Sequence, residues 1–152
     1  MSVYTIRLDG VEDVHEEATA TVASGDELLP GSLLELTSAG NVQKHATEGG
    51  YADMRIALED ALQGKTVDDA YADGARVLYY IPRRGSRFQG ILKSGEDVDI
   101  GDELISDGAG RFIKNGNEDS STTVRQILAT AEEASDQSGS DGADTLIVMR
   151  AR

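Results

Sequence analysis

Residues 24–44 read SGDELLPGSLLELTSAGNVQK, and residues 94–114 read SGEDVDIGDELISDGAGRFIK. At an offset of 70 residues, with no gap, both stretches run from Ser-Gly through two acids, a glycine and a leucine to Ala-Gly and a final lysine. Glycine turns around short apolar runs are typical of β-hairpins. The pattern predicts an internal repeat of a hairpin unit. The open alternative is chance, because glycine-turn hairpins resemble one another in many β proteins.

The repeat extends beyond the hairpin at the same offset. Arg55 then aligns with Arg125, and Leu58 aligns with Leu128, which gives repeated units at about residues 24–61 and 94–131. Residues 122–128 are rich in β-branched side chains, so their counterpart is better explained as a strand. A helix over residues 53–63 is the alternative, since its apolar residues also have helical spacing.

The rest of the chain has the same character, with 17 glycines and 2 prolines. Short β-branched segments between glycine turns predict a mainly β protein, a compact β-barrel or sandwich forming one domain over residues 1–152. The predicted strands are 4–8, 18–22, 33–36, 54–58, 76–81, 88–92, 103–106, 111–114, 122–131 and 145–150. One short helix is predicted at residues 67–72, with Thr66 as its N-cap. The composition of residues 134–143 predicts a flexible segment.

The net charge of the chain limits the kinds of partner that we expect it to bind. Acids number 28 against 14 basic residues, for a net charge of −14, and only four of the basic residues are lysines. Such a field repels phosphate backbones, so we expect no nucleic-acid partner. No apolar run approaches the roughly 20 residues of a membrane span, and the first residues lack a signal-peptide pattern, so we expect no membrane partner and assembly in the cytoplasm. High acidity with few lysines favours adaptation to a saline cytoplasm over an ordinary acidic surface.

No motif for catalysis, a cofactor or a metal is evident. Cysteine is absent, which excludes thiolate chemistry. His15 and His45 are far apart and are expected in turns or on the surface. Residues 97–102 resemble a calcium loop but lack its bidentate glutamate, since position twelve is Gly108. We therefore expect a protein without enzymatic activity, cofactor or metal.

Three arginines stand out in so acidic a chain. Arg83, Arg84 and Arg87 lie within six residues of one another, beside a proline and a glycine. Loop arginines bind carboxylates bidentately and are frequent in the energetic centres of interfaces. They are candidate contact residues for a partner, although they would equally well neutralise acids of the same molecule.

The chain resembles a family of capsid decoration, or cement, proteins of tailed viruses with an HK97-type shell. The resemblance runs from about Gly31 to Lys114 and lies in residues 30–42, 57–71 and 100–104. It implies a β-barrel protein on the outside of the virion that binds the major capsid protein, commonly as a homotrimer, and stabilises contacts between capsomers. The acidity and the arginine loop depart from bacterial-virus relatives, and the acidity together with the scarcity of lysine suggests a virus of halophilic archaea.

Two other functions stay open. One is a non-catalytic β-barrel module that binds a ligand or a carbohydrate, although tryptophan is absent and aromatic residues make up only 5% of the chain. The other is an enzyme that uses a pair of acids, as glycosidases do. With 28 acids, some pair lies close by necessity, so the acid count does not argue for catalysis.

Overall fold

The computed structural model describes residues 5–9, 14–119, 125–139 and 143–152. These residues form a mainly β fold, as predicted. The strands are β1 (Val14–Thr19), β2 (Leu33–Leu36), β3 (Val42–Lys44), β4 (Arg55–Ala57), β5 (Arg76–Ile81), β6 (Arg87–Leu92), β7 (Asp97–Val98), β8 (Glu103–Ser106), β9 (Phe112–Lys114), β10 (Ala129–Ala131), β11 (Ser135–Asp136) and β12 (Thr145–Ala151). Within the described ranges, the helical element is one 3₁₀ turn, Ala61–Gln63, and no helix is long and apolar enough to cross a membrane.

The strands divide into two units. The N-terminal unit (β1–β5, residues 14–81) is a five-stranded sheet in the order β1-β5-β4-β2-β3, and its two outer strands meet at a parallel bridge between Ala20 and Val42. The C-terminal unit (β6–β12, residues 87–151) contains a closed barrel in the order β10-β12-β6-β9-β8 and a small ribbon of β7 and β11. The barrel closes at a parallel pair between Leu92 and Phe112.

The hairpins of the two units have the same register. In the N-terminal unit, Leu34 of β2 is opposite Lys44 of β3. In the C-terminal unit, Leu104 of β8 is opposite Lys114 of β9. Both residues of the second pair lie 70 positions after those of the first, which is the offset of the sequence pattern.

The alignment of Arg55 with Arg125 is wrong by four positions. Leu34 pairs with Arg55 of β4, whereas its counterpart Leu104 pairs with Ala129 of β10. The offset of this strand is therefore 129 − 55 = 74, because the connection between the second and third strands is four residues longer in the C-terminal unit. The predicted strand at 122–131 is accordingly confined to Ala129–Ala131 in the described residues, and residues 120–124 lie outside them.

One hydrophobic core extends through both units. It includes Leu33, Ile56 and Tyr80 of the N-terminal unit together with Phe88 and Leu104 of the C-terminal unit. A second cluster lies inside the N-terminal unit alone. Burial of apolar surface is the main favourable term in folding, so the shared cluster holds the two units together.

Backbone hydrogen bonds also join the units. Leu33 N–H donates to Gly110 O at 2.9 Å, and Gly110 N–H donates to His45 O at 3.1 Å. At a second place, Ile91 N–H donates to Gly31 O at 3.3 Å. The units therefore meet through both main chain and side chains.

Two predictions near the N-terminus are wrong in detail. The predicted strand at 4–8 is reduced to a single bridge between Arg7 and Phe88, and Tyr4 lies outside the described residues. The predicted strand at 18–22 begins earlier, at Val14, because all six residues of β1 pair with β5. The two ends of β1 are set by its pairing with β5, which the local sequence does not reveal.

The predicted helix at 67–72 is also wrong. Thr66 does accept a hydrogen bond from Asp68 N–H at 3.3 Å, as an N-cap would, and Asp69 accepts one from Thr66 N–H at 2.7 Å. The chain then leaves the turn, because Tyr71 N–H donates to Leu28 O at 2.8 Å in a β-bridge. Residues 53–63 form β4 and the 3₁₀ turn, not the alternative helix.

Candidate functional site

Arg83, Arg84 and Arg87 lie at the connection between the two units. This connection is a tight turn in which Ser86 N–H donates to Arg83 O at 2.9 Å and Gly85 has a φ of +92°. The turn is tied to the last strand, because Gly85 N–H donates to Ala151 O and Ala151 N–H donates to Ser86 O. All three arginines are exposed. The turn therefore presents them on a rigid part of the fold.

A fourth arginine joins them from β12. Arg150 is opposite Arg87 in the pairing of β12 with β6, and its Nη1 donates to Gly85 O at 2.8 Å. Pairing between strands distant in sequence brings it there, and the sequence pattern carries no signal of this. We call Arg83, Arg84, Arg87 and Arg150 the arginine surface.

Two of these arginines are neutralised by acids of the same molecule. Arg87 donates from Nε and Nη2 to the Asp9 carboxylate, at 2.8 and 3.2 Å. Arg150 donates in the same bidentate way to Glu132, at 2.7 and 3.2 Å. Bidentate pairs of this kind fix the orientation of both side chains.

The pairs shift the pKa of each partner. The hydrogen bond from Arg87 lowers the pKa of Asp9, and that from Arg150 lowers the pKa of Glu132. The pKa of each arginine is raised in return by its acid. Both pairs thus carry full charge at neutral pH, and both are exposed to solvent, where such pairs contribute little to stability.

Arg84 differs from its neighbours. It is exposed and forms no ion pair with any residue in the described ranges. Its guanidinium can therefore contact a carboxylate of a partner without first breaking an internal pair. Arg83 is exposed beside it.

A groove separates the two units. Its volume is about 720 Å³, and both units line it: Leu29, Pro30 and Val67 on one side, Ile91 and Leu146 on the other. Charged side chains also reach it, namely Glu59, Lys65, Asp68, Glu133 and Asp144. The groove is mixed in polarity and open, so it could hold a polar ligand or a chain segment.

The two histidines occupy different environments. His15 is exposed and stacks on Tyr80 with 6.0 Å between ring centroids. The prediction of a surface position is wrong for His45, which is 2% exposed, because it joins the units. Its Nε2 donates to Tyr51 O at 2.9 Å, and its Nδ1 lies 2.7 Å from Ser106 Oγ. Both ring nitrogens are thus used structurally.

The acidic stretch at 97–102 forms the approach to β8. Asp102 accepts a hydrogen bond from Asp99 N–H at 2.9 Å and forms an ion pair with Lys114 at 2.7 Å. Within the described ranges, no three His, Asp or Glu side chains are grouped so as to hold a metal ion. Asp102 therefore stabilises the hairpin.

One comparison with known proteins gives a match. The fold is similar to the crystal structure of the head fiber gp8.5 N base in bacteriophage phi29, with a TM-score of 0.55 and 18% sequence identity. The match covers 92% of this chain and 94% of that chain. No family model and no curated protein matches the sequence. At this identity the likeness establishes a shared fold over almost the whole length of both chains.

Proposed function

We propose that this protein is a structural component of a virion that attaches to the outside of the capsid. The observation that carries the proposal is the whole-chain likeness to the base of a phage head fiber. A match over nine-tenths of both chains means that the two-unit arrangement as a whole is shared, not only a common barrel. The resemblance to capsid decoration proteins from about Gly31 to Lys114 supports the same class of function.

The physical character of the surface agrees with such a role. Attachment to a shell needs a rigid body that presents contact residues, with no chemistry to perform. The shared core and the hydrogen bonds between the units supply the rigidity. The arginine surface supplies cationic groups on an otherwise acidic molecule, and these suit carboxylates of the major capsid protein.

The finer role that we propose is that of a cement protein. In this role residues 1–152 act as one decoration domain, a homotrimer bridges neighbouring capsomers, and no enzymatic activity is involved. Arg83, Arg84 and Arg87 are the proposed capsid contacts, with Arg84 first because it has no internal partner in the described residues. The net charge of −14 suits a halophilic host, in whose cytoplasm the virion is assembled.

A second candidate function rests on the groove between the units. Its volume of about 720 Å³ lies within the range of ligand sites, and its walls carry both apolar and charged groups. A ligand- or carbohydrate-binding module would use this groove instead of the arginine surface. The two functions therefore predict different sensitive residues.

Re-addition of purified protein to capsids stripped of it tests the proposal. We expect saturable occupancy and a higher force or temperature for capsid rupture. Arg84→Ala should weaken binding more than Arg87→Ala, because the Arg87 guanidinium is already occupied by Asp9. Arg125→Ala is the matched control, since Arg125 is an exposed arginine that pairs with Glu118 and lies in neither the arginine surface nor the groove.

The outcomes separate the proposals. Absence of binding at every salt concentration overturns capsid attachment. Binding that is unaffected by Arg84→Ala, Arg83→Ala and Arg87→Ala together overturns only the contact site. Loss of binding on substitution of an exposed groove residue alone, such as Asp68→Ala, would transfer the site to the groove.

A further inference from the structure

The loop before β2 fastens the N-terminal unit to the C-terminal unit. Pro30 and Gly31 of this loop are buried against β6 and β12. Gly31 O accepts a hydrogen bond from Ile91 N–H, and a Cβ on Gly31 would lie 2.6 Å from Leu146 Cδ2. Backbone and side chains of the two units are therefore in close contact here.

The same loop exists in the C-terminal unit, where it faces solvent. Gly31 and its counterpart Gly101 have φ angles of +90° and +95°. The turn bond from Ser32 N–H to Leu29 O recurs from Asp102 N–H to Asp99 O, both at 3.1 Å. The two loops thus share a backbone conformation.

Exposure distinguishes the two loops. Pro30 is buried, whereas its counterpart Ile100 is 70% exposed. A Cβ on Gly101 would meet no atom within 4 Å. The C-terminal unit therefore carries a second copy of the fastening loop with nothing seated against it in the described residues.

The surface that receives the fastening loop also has a counterpart. Ile91 of β6 is opposite Leu146 of β12, and Thr19 of β1 is opposite Arg76 of β5. Since 76 + 70 = 146, Thr19 occupies in the N-terminal unit the position that Ile91 occupies in the C-terminal unit. β1 is therefore the counterpart of β6.

The edge of β1 at this position is open. Ala20 N–H points toward β5 and donates to Ala75 O, and Thr21 N–H points to the opposite side and donates to Val42 O. Alternation along a strand places Thr19 N–H on the same side as that of Thr21. Within the described ranges it has no acceptor there. Its counterpart, Ile91 N–H, donates to Gly31 O. In the described residues, the edge of β1 at Thr19 is therefore open at the position where a loop such as residues 99–101 would bind.

A pocket lies beside this open edge. It measures about 460 Å³, and its apolar lining includes Leu62, Tyr71 and Leu78, with Leu62 96% exposed. The charged groups that face it are Glu17, Asp60, Lys65, Asp69 and Arg76. Ile100 of a second copy of the chain would cover apolar surface in this pocket. The Asp99 carboxylate of that copy would face Arg76 and Lys65, which line the same pocket.

We propose that copies of this chain associate head to tail. Residues 99–101 of one copy seat on the β1 edge of the next, with Ile100 in the pocket and Gly101 O accepting from Thr19 N–H. The contact repeats between chains the one that already joins the units within a chain. It is heterologous, so it closes into a ring or extends as a filament. This inference deepens the self-association in the proposed function and does not depend on capsid attachment.

Cysteine cross-linking tests the geometry, because the chain has no cysteine of its own. Ile100→Cys and Thr19→Cys are prepared separately and treated with a short bis-maleimide, alone and mixed, at low and multimolar KCl. We expect linked dimers only in the mixture. Equal linkage of Ile100→Cys alone would mean a two-fold contact and would overturn the proposal, as would absence of any linkage specific to the mixture.

A second measurement tests the same contact without cysteine substitutions or a cross-linker. Sedimentation equilibrium should show that Ile100→Asp raises the dissociation constant for self-association about tenfold or more, as expected for loss of a central apolar anchor. Tyr51→Asp is the control, because Tyr51 is 74% exposed and lies in neither surface. Equal effects of the two substitutions would overturn the proposed interface. Cross-linking uses free protein, so its failure is distinguishable from a failure to bind capsids.

Discussion

His45 Nδ1 lies 2.7 Å from Ser106 Oγ, so a buried side-chain contact joins β8 of the C-terminal unit to the segment after β3. Tyr51 O can only accept, so His45 Nε2 carries a proton, and in the neutral ring Nδ1 accepts from the Ser106 hydroxyl. Ser106 Oγ in turn accepts from Gly108 N–H at 3.1 Å. His45 Nδ1, His45 Nε2 and Ser106 Oγ therefore each have a hydrogen-bond partner.

Removal of this histidine should weaken the whole fold. His45→Ala leaves a cavity and strips partners from Ser106 and from Tyr51 O, for an expected loss of about 2–4 kcal/mol in the free energy of unfolding. His15→Ala, at the exposed histidine, should cost less than about 1 kcal/mol. Urea denaturation measures both. Equal losses would contradict the structural role of His45.

The contact at Gly31 gives a second prediction with a matched control. Alanine at either Gly31 or Gly101 is strained by a positive φ, at about 1–2 kcal/mol. Only at Gly31 would the new Cβ crowd Leu146 and Ile91. We expect Gly31→Ala to be less stable than Gly101→Ala by about 1–3 kcal/mol. Thermal melts of dilute protein compare them, and equal midpoints would argue against tight packing between the units.

Acid should remove the contribution of the Glu132–Arg150 pair. The hydrogen bond from Arg150 lowers the pKa of Glu132 below its ordinary value of 4.5. A lowered pKa in the folded state means stability that is present above about pH 4.5 and is lost as the pH falls through the folded pKa. Glu132→Gln should therefore be less stable than the wild type at pH 6, with the difference shrinking as the pH falls below about 4.5.

The control for this prediction is Glu27→Gln. Glu27 is exposed and pairs with no basic residue in the described part of the chain. Its substitution should give no difference that depends on pH in this range. Melting temperatures from pH 3 to pH 7 decide, and a constant difference for Glu132→Gln would show that its ion pair does not act as described.

Salt should stabilise the isolated protein. The net charge of −14 is unscreened at low ionic strength, and the Debye length falls from about 30 Å at 0.01 M to about 3 Å at 1 M. We expect the midpoint of thermal unfolding to rise as KCl increases into the molar range. A midpoint that stays constant or falls would speak against halophilic adaptation.

The sequence was informative where structure is local. The two hairpins and most of their turns follow from glycine spacing, and the offset of 70 between Leu34 and Leu104 is visible without the fold. The four-residue shift at Ala129 and the buried position of His45 depend on contacts between distant segments. The same holds for the site: Arg83, Arg84 and Arg87 are adjacent in sequence, whereas Arg150 reaches them only through the pairing of β12 with β6.

Electron cryo-microscopy of purified virions is the most direct test of attachment to a capsid. We expect density on the outer surface of the head into which the two-unit fold fits, with the turn at residues 83–86 facing the shell. Particles made without this gene should lack that density. Outer density that persists in those particles, or intact virions that never contain the protein, would rule out attachment to the capsid.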